Sequence, residues 1–196
     1  MAVIIVLAGL ILSTSGYVQK KGNRSRAEAE IAAMSAALES YKADNGIYPR
    51  GISISTPPTG MPNYSLAVNG TDDLDARTNG DPNDKQYQEA SRYLYEQLSG
   101  DTDLDLAVNS GNKSYFAFKE SQLALIKDAS GKNVGLSHIR DPFGNSYGYS
   151  TANAAYSETS PLPATQRGNN PTFDLWSTGD RENTSLSQAA QWIKNW

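Results

Sequence analysis

The side chains that could do chemistry in this chain are few, and their spacing points away from catalysis. Asp101, Asp103 and Asp105, in DTDLDLAVNSGN, are spaced like the first three ligands of a calcium loop. Such a loop needs Gly at its sixth position and Glu at its twelfth. Leu106 and Asn112 stand there, so the stretch reads as a solvated acidic turn. Ser110 and Lys113 match a Ser-x-x-Lys nucleophile motif, but they lie in a glycine-broken loop without the partner Lys-Thr-Gly. Gly135-Leu136-Ser137-His138 would need Gly at 139 to form a nucleophile elbow, and Ile139 occupies that position. With one His and no Cys, only carboxylate chemistry remains for an enzyme, and no pattern singles out a carboxylate pair. The residue types predict no catalytic residue, no enzyme and no metal site. The single histidine reads as a surface or edge-strand residue.

The elements that must carry these residues are uneven in character. Met1 to Leu12, MAVIIVLAGLIL, is an apolar run without a charge, in a chain of 196 residues that is 38% hydrophobic overall. As a helix it would rise about 18 Å, short of the roughly 20 residues that span a bilayer. Extended through Val18 it nearly reaches that length. It lacks the basic region that opens a signal peptide, and it runs directly into a helical pattern. Lys20, Lys21, Arg24 and Arg26 follow it, so a chain of net charge −4 carries −8 outside those four residues. One basic cluster beside an acidic remainder argues against a nucleic-acid partner. The absence of cysteine leaves the redox compartment open.

Ala27, Ile31, Met34, Leu38 and Tyr41 recur at helical spacing as one narrow apolar seam. Asn45-Gly46 ends that helix, and Pro49 prevents its resumption. One helix from about Ala2 to Asp44 would be about 65 Å long. Residues 50–82 are rich in Gly, Pro, Asn, Asp, Ser and Thr, with Pro57-Pro58, Asn69-Gly70 and Asn79-Gly80, and read as a long loop. A second helix is expected with Asp81 as its cap, Pro82 in its first turn, a stripe of Tyr87, Ala90, Leu94 and Leu98, and Gly100 at its end. Short strands are expected at Tyr115 to Lys119, Leu123 to Lys127, Ser146 to Ser150 and Phe173 to Ser177. The fold class is α+β: a long N-terminal helix on a small antiparallel sheet, with a loop and helix between them. The divisions expected are 1–22, an apolar segment; 23–49, the amphipathic half of the helix; 50–113, a variable loop and helix; and 114–196, the sheet.

"YKADNGIYPRG" (Tyr41 to Gly51), "DPFGNSYGY" (Asp141 to Tyr149), "FDLWSTGD" (Phe173 to Asp180) and the terminal "WIKNW" occur in this order. Together with the N-terminal helix they resemble the type IV pilin superfamily, and most of all the major pseudopilin of type II secretion systems and its bacterial pilin-like relatives. The resemblance covers the helix and the C-terminal half but not residues 52–113. It implies a structural subunit that polymerises through its N-terminal helix into a pilus or pseudopilus. The implied location is extracellular or at the cell surface, with an inner-membrane anchor before assembly. The implied partners are further copies of the chain and an assembly machinery. Family members carry a glutamate shortly after a cleavage site, whereas residue 5 here is Ile5 and no acid precedes Glu28. The expectation is therefore that the sequence starts several residues inside the mature N-terminus. Family pseudopilins also hold calcium between the Ser-x-Gly loop and the last Trp. Here Arg181, Ala190 and Trp192 stand where family acids would, which implies no cofactor, with Asp180 the best ligand should calcium bind.

The filament reading assigns Ile4, Ile5, Val6, Leu7, Leu10, Ile11 and Leu12 to a core of bundled helices. Gly9, Ser13, Thr14, Ser15, Gly16 and Gly22 are poor helix formers, and predict local unwinding in the polymer between Leu10 and Lys20. Asp141-Pro142 and Gly144-Asn145 are read as a hairpin that aims Tyr147 and Tyr149 at the long helix, because alternate strand residues share a face. Ile31, Met34, Leu38, Tyr41, Tyr147, Tyr149 and Trp176 are the expected contacts between helix and sheet. A reading of another class is an anchored or secreted module that binds a sugar or protein through residues 52–113. Five Asn-x-Ser/Thr matches, at Asn23, Asn63, Asn69, Asn112 and Asn183, are glycosylation acceptors by pattern alone.

Overall fold

The computed structural model of the chain describes residues 2–51, 70–159, 167–180 and 186–196, with 2–15, 156–159 and 187 as backbone only. Most of the 52–113 loop's first part, Arg181, Glu182, and the acceptors Asn63, Asn69 and Asn183 lie outside the described residues. The class is α+β. Helix α1 (Ala2–Asn45) is continuous. It ends where Gly46 turns to φ +80° and its N–H donates to Lys42 O at 2.8 Å, the left-handed cap that a glycine adopts without a Cβ penalty. Among the described residues, no helix is long and apolar enough to cross a membrane.

Helix α2 (Lys85–Ser99) ends at Gly100 as its sequence predicts, but its N-cap is Asp84, whose carboxylate accepts from Gln86 N–H at 2.8 Å. Asp81, the expected cap, instead opens a turn. Its carbonyl accepts from Asp84 N–H at 3.0 Å and its side chain from Asn83 N–H at 2.9 Å. Pro82 therefore sits in that turn and not in the helix.

Strands β1 (Leu123–Lys127) and β2 (Asn133–Ile139) pair antiparallel, with Leu123 opposite Ile139. Strands β3 (Gly148–Ser150), β4 (Asp174–Ser177) and β5 (Ile193–Lys194) form a second antiparallel sheet in the order β3-β4-β5. A short helix α3 (Ala152–Thr159) follows β3. Residues 115–119 are not a strand. Tyr115 and Phe116 both donate their N–H to Leu98 O, at 2.7 and 2.9 Å, so this stretch closes the C-terminus of α2. Its aromatic rings pack sideways, Phe118 on Tyr95 and Phe116 on Phe118.

Two apolar clusters hold these layers. In the larger one, Ala27, Ile31, Met34 and Leu38 of α1 meet Leu94 and Leu98 of α2 and Leu136, Ile139, Tyr147 and Tyr149 of the strand region, with Tyr41 packed at its edge. Ile31, Met34 and Leu38 are each buried, which contributes roughly 1.5–3 kcal/mol per side chain. The smaller cluster joins Leu74, Tyr87 and Ala90 to Trp176 and Trp192. Trp176, expected against α1, belongs here. Gly148 and Trp176 are directly opposite in the β3–β4 register and so share a sheet face, while Tyr147 and Tyr149 point to the other. The face with the tyrosines meets α1. The face with Trp176 meets α2.

Candidate assembly surface

Among the described side chains of α1, the buried positions begin at Ala27 and recur at Ile31, Met34, Ala37 and Leu38, one stripe of the helix. Before that stripe, every residue from Gly16 to Gly22 is exposed, with Tyr17 at 71% and Val18 at 65%. This segment of α1 therefore leaves the core while remaining helical. The side chains of Ile4, Ile5, Val6, Leu7, Gly9, Leu10, Ile11, Leu12, Ser13, Thr14 and Ser15 lie outside the described ones. Their backbone is helical, as it is at Gly16 and Gly22. The expected unwinding concerns the polymer.

Two polar contacts tie the exposed part of α1 to the rest of the molecule. Lys20 Nζ lies 2.8 Å from Asp180 Oδ2, and Arg24 Nη1 donates to Gln191 O at 3.0 Å. Both join α1 to the C-terminal loop, across more than 150 residues of sequence. Asp180, the proposed calcium ligand, thus has a lysine at its carboxylate. Arg24 also pairs with Glu28 at 3.2 Å and Arg26 with Glu30 at 2.8 Å, one helical turn apart. Glu30 Oε2 in turn accepts from Tyr147 O–H at 2.8 Å. Burial and the Glu30 carboxylate raise the Tyr147 phenol far above its ordinary pKa, so it stays a donor. Tyr149 O–H donates to Pro49 O at 2.8 Å, just past the end of α1.

The loop that presents these tyrosines is built around Asp141. Its Oδ1 accepts from Phe143 and Asn145 N–H, both at 2.9 Å, and its Oδ2 from Ser177 O–H at 2.5 Å. Gly144, at φ +95°, donates its N–H to Asp141 O at 3.0 Å. Arg140 and Ser146 bridge antiparallel, closing a hairpin. Burial pushes the Asp141 carboxyl up to about 6, although the hydroxyl and amide donors hold it back. Between this turn, Asp180 and α1 lie two adjoining depressions of about 340 and 320 Å³. One is lined by Gly16, Lys20, Asn23 and Phe143, the other by Tyr17, Lys20, Lys21, Arg24 and Phe143.

At the far end of α1 sits the acidic loop. Asp101 is 1% exposed and not solvated as its sequence suggests. It accepts from Tyr95 O–H at 2.7 Å, Leu106 N–H at 2.9 Å and Asp105 N–H at 3.2 Å. Burial raises its carboxyl pKa. Asp101, Asp103 and Asp105 offer oxygens within 4.8 Å of one another, a grouping that suits a hard cation, though calcium prefers six to eight oxygens. Leu106 takes φ +74° at the position where a calcium loop has Gly.

Of the residues weighed for catalysis, only the neighbours Ser137 and His138 are shown in contact among the described residues. Lys113 pairs with Asp44 of α1. His138, in β2, has its Nδ1 3.0 Å from Ser137 Oγ. Burial, and then Arg140, lower its pKa to about 4, so it is neutral at pH 7. Among the described residues no carboxylate hydrogen-bonds to it. Glu96, in α2, is pushed up to about 7 by burial, with Arg92 opposing.

Sequence reasoning missed the Lys20–Asp180 link, the burial of Asp101, and strands β2 and β5. For β2 a signal existed. Asp128-Ala129-Ser130-Gly131 is a turn sequence, and Asp128 Oδ1 does accept from Ser130 and Lys132 N–H. No family model, curated protein or solved structure matches the chain.

Proposed function

We propose that this chain is a structural subunit that polymerises through α1 into a type IV pilus-like or pseudopilus filament, as its resemblance to the pilin superfamily implies. The observation that carries the reading is the exposure of α1 from Gly16 to Gly22, preceded in sequence by the charge-free run MAVIIVLAGLIL. A helix that is apolar in its first residues and leaves its own core has a surface to bury elsewhere. Other copies of the same helix offer that burial in a polymer, and lipid offers it beforehand. The amphipathic half of α1 and the two sheets then form a head outside the helical core. On this reading the protein is not an enzyme, needs no cofactor, and acts at the cell surface or outside the cell with an assembly machinery as partner. Within the polymer, Gly9, Ser13, Thr14, Ser15, Gly16 and Gly22 favour a local break in α1, because packing alone enforces helix there less strictly than hydrocarbon does. Electron micrographs of the purified protein should show unbranched helical filaments, and material that stays monomeric under all assembly conditions would overturn the proposal. A reconstruction with unbroken i to i−4 hydrogen bonds from Gly9 through Gly22 would end the idea of a break.

A further inference from the structure

We propose that the groove between residues 16–24 of α1 and the turn at Phe143 receives a second copy of this chain, through that copy's loop at residues 103–108. The inference rests on the polymer reading and adds the contact that sets the stagger between subunits. The groove is basic and partly apolar. Lys20, Lys21 and Arg24 line it; Lys20 meets Asp180 at 2.8 Å and Arg24 pairs with Glu28 at 3.2 Å. Lys21 has no ion pair among the described residues, and Tyr17 lies beside it 71% exposed. The loop has the opposite character. Asp103 and Asp105 are exposed with no cation partner among the described residues, and Leu106 and Val108 are 38% and 51% exposed. Opposite charge and apolar surface are thus paired on both sides, the arrangement that steers and orients association.

The loop is also held ready. Asp101 binds the amides of Asp105 and Leu106, and Asn109 Oδ1 accepts from Thr102 N–H at 2.6 Å, so little ordering remains to be done on contact. Leu104 and Leu106 are kept at φ +61° and +74°, a left-handed conformation that leucine adopts only when its surroundings impose it.

The loop is tied to the C-terminal end of α1 by the Lys113–Asp44 pair and by the Tyr41–Tyr115 ring contact at 5.2 Å. Lys20 and Asp44 are 24 residues apart on one helix, about 36 Å at 1.5 Å per residue. Groove and loop therefore do not overlap on one copy. Where neighbouring copies run parallel and are displaced along α1, a contact between these two different patches repeats from copy to copy as an open helical polymer.

The chain contains no cysteine, so two full-length variants, Tyr17→Cys and Val108→Cys, each carry a single thiol. Oxidation of a mixture of the two under assembly conditions should give the mixed dimer, with Tyr17→Cys alone and Val108→Cys alone staying monomeric. Lys21→Glu in the first variant should lower the mixed dimer about tenfold, and Asp103→Lys in the second should restore it. Wild-type filaments together with no mixed cross-link would overturn this contact and leave the polymer reading standing. A mixed dimer insensitive to Lys21→Glu would overturn the charge pairing. Absence of wild-type filaments would remove both.

Discussion

Replacing Gly148 by Ala probes the packing that separates the two faces of the β3–β4 sheet. A Cβ built at Gly148 would lie 2.3 Å from Trp176 Cε2 and 2.4 Å from Cζ2, where carbon atoms pack at about 3.5–4.0 Å. The overlap exceeds 1 Å and falls on a ring that cannot swing aside. Trp176 is fully buried, with Tyr87 edge-on at 5.3 Å and Trp192 stacked at 6.2 Å. Overpacking costs about 1–3 kcal/mol, and an immobile ring puts this variant at the upper end, about 3 kcal/mol. For a chain of this length that lowers Tm by roughly 6–12 °C. Urea unfolding followed by tryptophan fluorescence gives the free energy directly. Gly135→Ala is the control: its nearest contact would be Ile126 Cδ1 at 3.9 Å, and it should stay within about 0.5 kcal/mol of the parent. Combining Gly148→Ala with Trp176→Leu should recover part of the loss as a coupling energy of about 1 kcal/mol or more. If Gly148→Ala alone unfolds within about 0.5 kcal/mol of the parent, the close packing of the two residues is wrong.

The Asp141 carboxyl is raised to about 6 from 3.8, so between pH 4 and 6 the folded chain holds a proton that the unfolded chain has released. Stability contributed by this group therefore falls as pH rises through that window, by up to about 3 kcal/mol. Asp141→Asn should flatten that part of the profile in urea titrations at pH 4 and pH 7, and an unchanged difference between the two pH values would contradict it. Leu7→Lys should abolish filaments in micrographs while shifting the Tm of the body by less than about 2 °C, since residue 7 precedes Ala27, the first buried position among the described side chains of α1, by 20 residues, or about 30 Å. Filaments of normal yield would refute its place in the core.

Local order was legible where a single residue type has one local solution. Gly46 and Gly100 ended the helices because glycine alone takes the left-handed cap freely. The steps from Ala27 to Leu38 marked the buried face because helical side chains recur every three or four residues. The α+β class followed from the same signals. The DPFGN turn was readable too, since its aspartate and glycine bond within five residues. What joins positions far apart in sequence was decided by the tertiary structure. Residues 115–119 have strand-like composition, but Leu98 O accepts from two of their amides, which are then not offered to a strand partner. Asp101 looks solvated in a run of acids, yet Tyr95 and the loop amides satisfy it in the interior. Trp176 carries enough apolar area for either core. It packs with α2 because the missing side chain at Gly148 leaves room on that face alone, a vacancy that depends on which strand lies opposite. Lys20 found Asp180 in the same way. Charge and periodicity specify what a side chain needs, and only the closed fold determines which of several partners is near enough to supply it.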